Sequence, residues 1–140
     1  MTHDLNAYLL ELRRLEHFRH ECLIGWMAPE VLAEGERYAC WAECAPPTRS
    51  CPAHAIGIST MLRRAPRYVI RYLVLHEVLH IVLPPRGARF HHRAFRVAEQ
   101  SSDLYLPATR WLHAFAVRRG LRIAADPPKA HFSRIVLAGL

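Results

Sequence analysis

The chain has 140 residues, 51% of them hydrophobic, and nineteen basic against twelve acidic side chains give a formal net charge of +7. That length and apolar content suit one domain spanning 1–140, and no uncharged apolar run is long enough to cross a membrane. Charge within Met1-Thr2-His3-Asp4-Leu5-Asn6 argues against a secretory leader, so a soluble, cytoplasmic protein without a membrane partner is expected.

Leu5, Tyr8, Leu9, Leu12 and Leu15 recur at helical spacing. With Asp4 or Thr2 as N-cap they predict an amphipathic helix to about His20. From Cys22 to Thr60 the apolar runs shorten between Gly25, Pro29, Gly35, Pro46-Pro47 and Pro52. Arg37 to Cys44 alternates, with Tyr38, Cys40, Ala42 and Cys44 on one face, and Ile56-Gly57-Ile58 reads as a further strand. A small, mostly antiparallel sheet follows from these segments.

Pro66 suits a helix start, and Pro84-Pro85 would end the run from Arg67 to Leu83, which is apolar on nearly every side. Such a helix belongs in the middle of a domain. A turn-rich stretch leads to a helix from about Phe90 to Ser102, and Pro107 begins another ending near Gly120. The last twenty residues read either as a packed tail or as a final strand.

Four cysteines, Cys22, Cys40, Cys44 and Cys51, lack the paired C-x-x-C units of a zinc ribbon and are expected as packed thiols. The other reading puts Cys40 and Cys44 on one strand face, with Cys51 from a neighbouring strand, as a second metal site or a disulfide. Lys129 is the only lysine among the nineteen basic residues. This pattern fits a coding bias toward arginine better than a selected polyanion surface, so a nucleic-acid partner is allowed rather than indicated.

The chemistry concentrates in His76-Glu77-Val78-Leu79-His80. One helical turn separates the two histidines, so both imidazoles can reach one ion, while Glu77 sits about 100° round the helix, placed to hold and deprotonate a water. Ten histidines and nine glutamates would produce an H-E-x-x-H string in about 5% of shuffled chains, so context must decide. The context is a helix otherwise apolar after Tyr72, where three unpartnered polar groups would cost several kcal/mol and a metal with its water would satisfy them.

A catalytic zinc needs a third ligand. Counting a helix from Phe90, the residues Phe90, Ala94, Phe95, Val97 and Ala98 face inward with His91 beside them, while His92, Glu99 and Asp103 face the opposite way. Of the candidate third ligands His91, His92 and Glu99, His91 is therefore preferred, with Glu99 its main rival. Otherwise Glu99 orients a histidine or is a solvated surface charge. Tyr72, Tyr105, His92 and His113 are candidates by type for stabilising an oxyanion.

The run from Ala65 to His80, followed by His91-His92-Arg-Ala-Phe95, resembles the SprT-like zincins and the short bacterial YgjP-like metallopeptidases. The similarity extends from about Ile56 to Trp111, and His92 stands where SprT-like proteins usually have glycine. The resemblance implies His76, His80 and His91 as zinc ligands, Glu77 as general base, and a protein or peptide substrate. It also implies an α+β, zincin-like fold with an N-terminal helix, a small sheet, a central H-E-x-x-H helix and further C-terminal helices. The expected function is thus a zinc metallopeptidase. The alternatives are a zinc-stabilised module binding nucleic acid or protein, and a zinc hydrolase of another amide.

Overall fold

The computed structural model describes residues 2–15, 18–28, 40–121 and 137–138. Helix α1 (Leu5–Leu15) begins where Asp4 Oδ1 accepts the Ala7 N–H at 3.0 Å, a side-chain cap on one of the first-turn donors. Its Leu5, Tyr8 and Leu9 are buried against the rest of the domain. His3, just before it, is also buried: Nε2–H donates to the Ala65 carbonyl at 2.8 Å, and Nδ1 lies 3.0 Å from the Tyr8 hydroxyl. The helix is shorter than expected. By Phe18 the chain has turned, with Phe18 buried beneath the Arg13 guanidinium and Arg13 also donating to the His20 carbonyl.

Strands β1 (Cys22–Met27), β2 (Ala42–Ala45), β3 (His54–Ser59) and β4 (Leu137–Ala138) form one sheet in the order β2-β3-β1-β4. The expectation of a mostly antiparallel sheet needs correction, because its longest pairing, β1 with β3, is parallel over six residues. β2 runs antiparallel to β3, and β4 pairs two residues with β1. β1 itself was not singled out in the sequence. Cys-Leu-Ile-Gly-Trp-Met lacks clean alternation, and its central Gly25 reads as a break, whereas in the sheet Gly25 pairs with Gly57. A Cβ on Gly57 would come within 2.9 Å of Met27 Sδ, so the glycine is what leaves room for that side chain.

Helix α2 (Arg67–Val82) is the centre of the domain, as its all-round apolarity requires. Val69, Ile70, Leu73, Val74 and Val78 are buried with Ile24, Ile56 and Ile58 of the sheet and Leu112 and Phe115 of α4. Pro66 immediately precedes it, and Leu83 and Pro84-Pro85 end it. Helix α3 (Arg93–Gln100) starts three residues later than expected, and α4 (Tyr105–Arg119) two residues earlier. Gly120, at φ 64°, closes α4 by donating its N–H to the Ala116 and Val117 carbonyls. The described residues are therefore mixed α+β, with four α-helices and a small mixed sheet. Among the described residues, no helix is long and apolar enough to cross a membrane. Most of the last twenty residues, and the stretch from Arg37 to Ala39, lie outside the described residues.

Candidate metal centre

Two helices and the loop between them build the site. α2 presents His76 and His80 one turn apart, and the turn after Pro84-Pro85 returns the chain so that His91 meets them. That turn is shaped by reciprocal backbone hydrogen bonds between Arg86 and Arg89, both 3.1 Å, around Gly87 at φ 61°. His91 Nε2 lies 3.3 Å from His76 Nε2 and 3.2 Å from His80 Nε2. An ion bound tetrahedrally to three imidazoles at about 2.0–2.1 Å would hold their nitrogens about 3.3–3.4 Å apart. The three side chains therefore fit a metal ion, and among the described residues they are the one group of histidine, cysteine or acidic side chains so converged.

The ring of Phe95, fully buried, supports all three imidazoles, with centroids 5.0 Å from His76, 4.5 Å from His80 and 5.0 Å from His91. Arg96 Nε donates to the His91 carbonyl at 3.1 Å, tying that residue to the first turn of α3. His91 precedes the helix rather than lying on it.

The neighbouring His92 is committed elsewhere. It is the N-cap of α3: Nδ1 accepts the Phe95 N–H at 3.4 Å, which leaves Nε2–H to donate to the Pro84 carbonyl at 3.1 Å. Both ring nitrogens are used, and no lone pair is left for an ion.

Glu99 does not face away from the site as a helix counted from Phe90 implies. It is buried, and its Oε1 accepts His76 Nδ1–H at 2.5 Å and the Tyr72 hydroxyl. The correction is geometric. Phe90 and His91 precede the helix, and Val97, counted among the inward residues, is 58% exposed; on α3 the inward side is marked by Phe95, and Glu99, four residues on, shares it. Glu99 holds the ring of His76 by hydrogen bond and is not one of the three converging side chains.

Burial and charge set the protonation states. His80 is held at about 3, well below an ordinary histidine, chiefly by burial and then by His76 and His91, so it stays neutral with a lone pair to give. Burial also disfavours a charged His76, but the Glu99 hydrogen bond and the charges of Glu77 and Glu99 outweigh it and raise its pKa. Glu77, nearly fully buried, is pushed up to about 7 by desolvation; His76 opposes this, while Glu43 and Glu99 add to it. Tyr72 is kept protonated by burial and by its bond to Glu99.

Glu43 of β2 is the residue that the sequence pattern concealed. Placing Cys40, Ala42 and Cys44 on one strand face assigned Glu43 to the opposite, solvent side, yet it is buried, accepts the Cys40 thiol at 3.2 Å and acts electrostatically on Glu77. An acidic residue between alanine and cysteine in a short strand was its only signal. The second-metal and disulfide readings of the cysteines find no support among the described residues: Cys22, Cys40, Cys44 and Cys51 are not joined in disulfides and belong to no metal-holding group, with Cys40 before β2 and Cys51 in the β2–β3 loop. Of the oxyanion candidates, Tyr72 and His92 are occupied and His113 is exposed.

Comparison with protein-family models, with curated proteins and with solved structures finds no match to this chain.

Proposed function

We propose that the protein is a zinc-dependent metallopeptidase, with His76, His80 and His91 as metal ligands and Glu77 as the general base. The observation that carries the reading is the convergence of three Nε2 atoms beside a buried carboxylate one residue along α2. Three imidazoles suit zinc, and a structural zinc would be closed by a fourth protein ligand, which is not found among the described residues. Three protein ligands are the pattern of a catalytic site.

When bound, the ion would supply Lewis acidity, polarising a carbonyl and lowering the pKa of water. The chain's own part falls to Glu77. Its carboxylate accepts the proton of the attacking water and passes it to the leaving amine. Without the ion, burial holds its pKa up to about 7, above that of an exposed glutamate, and a bound ion would lower it from there while burial keeps it the stronger base of the two. Glu99 and Phe95 hold the imidazoles in place. A peptide is favoured over another amide because β2, which has a strand neighbour on one side only among the described residues, lies against α2 and offers backbone groups to an extended chain. The same assignment follows from the resemblance to SprT-like zincins.

The test is Glu77→Gln, expected to keep stoichiometric zinc and the fold while losing cleavage of an unfolded protein such as casein. Undiminished cleavage would refute the mechanism. Retained zinc and salt-sensitive binding of nucleic acid, without Glu77-dependent turnover by the parent protein, would favour a zinc-stabilised binding module instead.

A further inference from the structure

We propose that Glu99 and Tyr72 form a positioning pair that fixes the tautomer and orientation of His76 as a ligand of the metal centre. This rests on the metal-binding part of the reading above and not on peptidase activity.

A single carboxylate oxygen, Glu99 Oε1, receives His76 Nδ1–H at 2.5 Å and the Tyr72 hydroxyl. With its hydrogen on Nδ1, a neutral His76 must carry its lone pair on Nε2, the atom directed at His91 Nε2 3.3 Å away. The ring is held at one edge by the carboxylate and against its flank by Phe95. Tyr72 lies four residues before His76 and so shares its face of α2, while Glu99 follows Phe95 by four residues on α3. The Tyr72–Glu99–His76 contacts thus cross-link α2 to α3, the helix whose leading segment carries His91. One buried carboxylate orients a ligand and sets how closely two ligand-bearing segments approach.

His80 provides the contrast. Its Nδ1 is buried and has no hydrogen-bond partner among the described residues, so the two ligands on α2 are not equivalent there. Of these two, His76 is the one with a carboxylate behind it among the described residues, an arrangement that commonly strengthens a metal-binding histidine.

The experiment compares the wild-type protein with Glu99→Ala, Glu99→Gln and Tyr72→Phe. Zinc dissociation constants would be read by competition with a chromophoric chelator, the visible absorption of the cobalt-loaded proteins would report ligand geometry, and metal-free melting would report the fold. Glu99→Ala is expected to weaken zinc binding about 10–100-fold and to alter the cobalt bands. Glu99→Gln, whose amide oxygen still accepts from Nδ1–H, should recover part of that loss. Tyr72→Phe keeps the ring packing and should weaken binding measurably, though less than Glu99→Ala. If Glu99→Ala cannot be folded, the other two variants carry the test. Zinc affinity and cobalt spectra unchanged across the folded variants would overturn the proposal, and so would equal losses in Glu99→Gln and Glu99→Ala. A wild-type protein that binds no zinc would instead overturn the metal centre itself, whereas tight zinc without peptidase activity would leave the positioning pair standing.

Discussion

Glu77→Gln should abolish hydrolysis and, in the same stroke, stabilise the metal-free protein. Glu77 is 4% exposed, and desolvation lifts its pKa from 4.5 to about 7. A carboxyl whose folded value lies above its unfolded value binds its proton more tightly when folded. It therefore lowers stability as pH rises from the unfolded value through the folded one. At about 1.4 kcal/mol per pKa unit, roughly 3 kcal/mol is lost between pH 4.5 and 8. For a domain of this size that is a melting-temperature difference on the order of 10 °C. Melting curves of both proteins in chelator, from pH 4.5 to 8, provide the assay. The two should converge at the acid end, with Glu77→Gln pulling ahead through neutrality. Parallel curves would show that Glu77 bears no desolvation penalty, and the argument for a base tuned by burial would fail with it. Zinc should raise the wild-type curve by binding the native state, by about 2.7 kcal/mol at a hundredfold excess over the dissociation constant.

The two adjacent histidines should separate cleanly: His91→Ala loses zinc in an equilibrium dialysis, whereas His92→Ala retains stoichiometric zinc but loses about 1–2 kcal/mol in a denaturant titration through its cap and its bond to Pro84. Phe95→Ala should cost about 3–5 kcal/mol, as for other buried aromatics, and weaken zinc binding because its ring supports all three imidazoles. Proton and metal compete for His76 Nε2, whose pKa is raised, so measured zinc affinity should begin to fall above the ordinary histidine pKa as pH is lowered, while His80, at about 3, contributes nothing to that fall near neutrality. Gly57→Ala should destabilise by about 1–3 kcal/mol, since the added methyl meets Met27 Sδ at 2.9 Å, and melting in the metal-free state would measure it.

What was legible in the sequence follows from range. The H-E-x-x-H spacing is a property of one helical turn, and the apolarity of Arg67 to Val82 is a property of one helix, so both could be read locally. His91 also stands out, but it precedes the helix instead of lying on its inward face. A wheel drawn from Phe90 treats His91, His92 and Glu99 as points on one rigid helix, and the helix begins at Arg93 because His92 caps it. Moving that boundary places His91 in a loop, and the exposure of Val97 leaves Phe95 to mark the inward side, which Glu99, four residues later, shares. The boundary itself depends on His92 finding the Pro84 carbonyl across the turn, an interaction between segments that no local pattern announces. β1 and Glu43 escaped for a related reason. The parallel β1–β3 pairing and the covering of Glu43 are made by distant parts of the chain, which hide an apolar strand without alternation and an acid that alternation would send to solvent.

The electrostatics of the site argue for a cation independently of the nitrogen spacing. Three imidazoles and two carboxylates, from Glu77 and Glu99, are gathered in one largely buried region. Burial alone would neutralise each by protonating the acids and deprotonating the imidazoles. His80 follows that trend to the neutral form a metal requires, and Glu77 follows it toward the protonated form that a general base must avoid. A divalent ion among the three Nε2 atoms would reconcile the two demands, because it uses the lone pairs that burial leaves on the imidazoles and favours the ionised form of the carboxylate beside them. On this argument burial supplies the neutral imidazole of His80, and an ion held by it would supply the ionised carboxylate of Glu77. The acid limb of hydrolysis should accordingly lie below the metal-free value of about 7 for Glu77. A pH–rate profile of the zinc-loaded protein rising only above pH 7 would show that the ion does not act on this carboxylate.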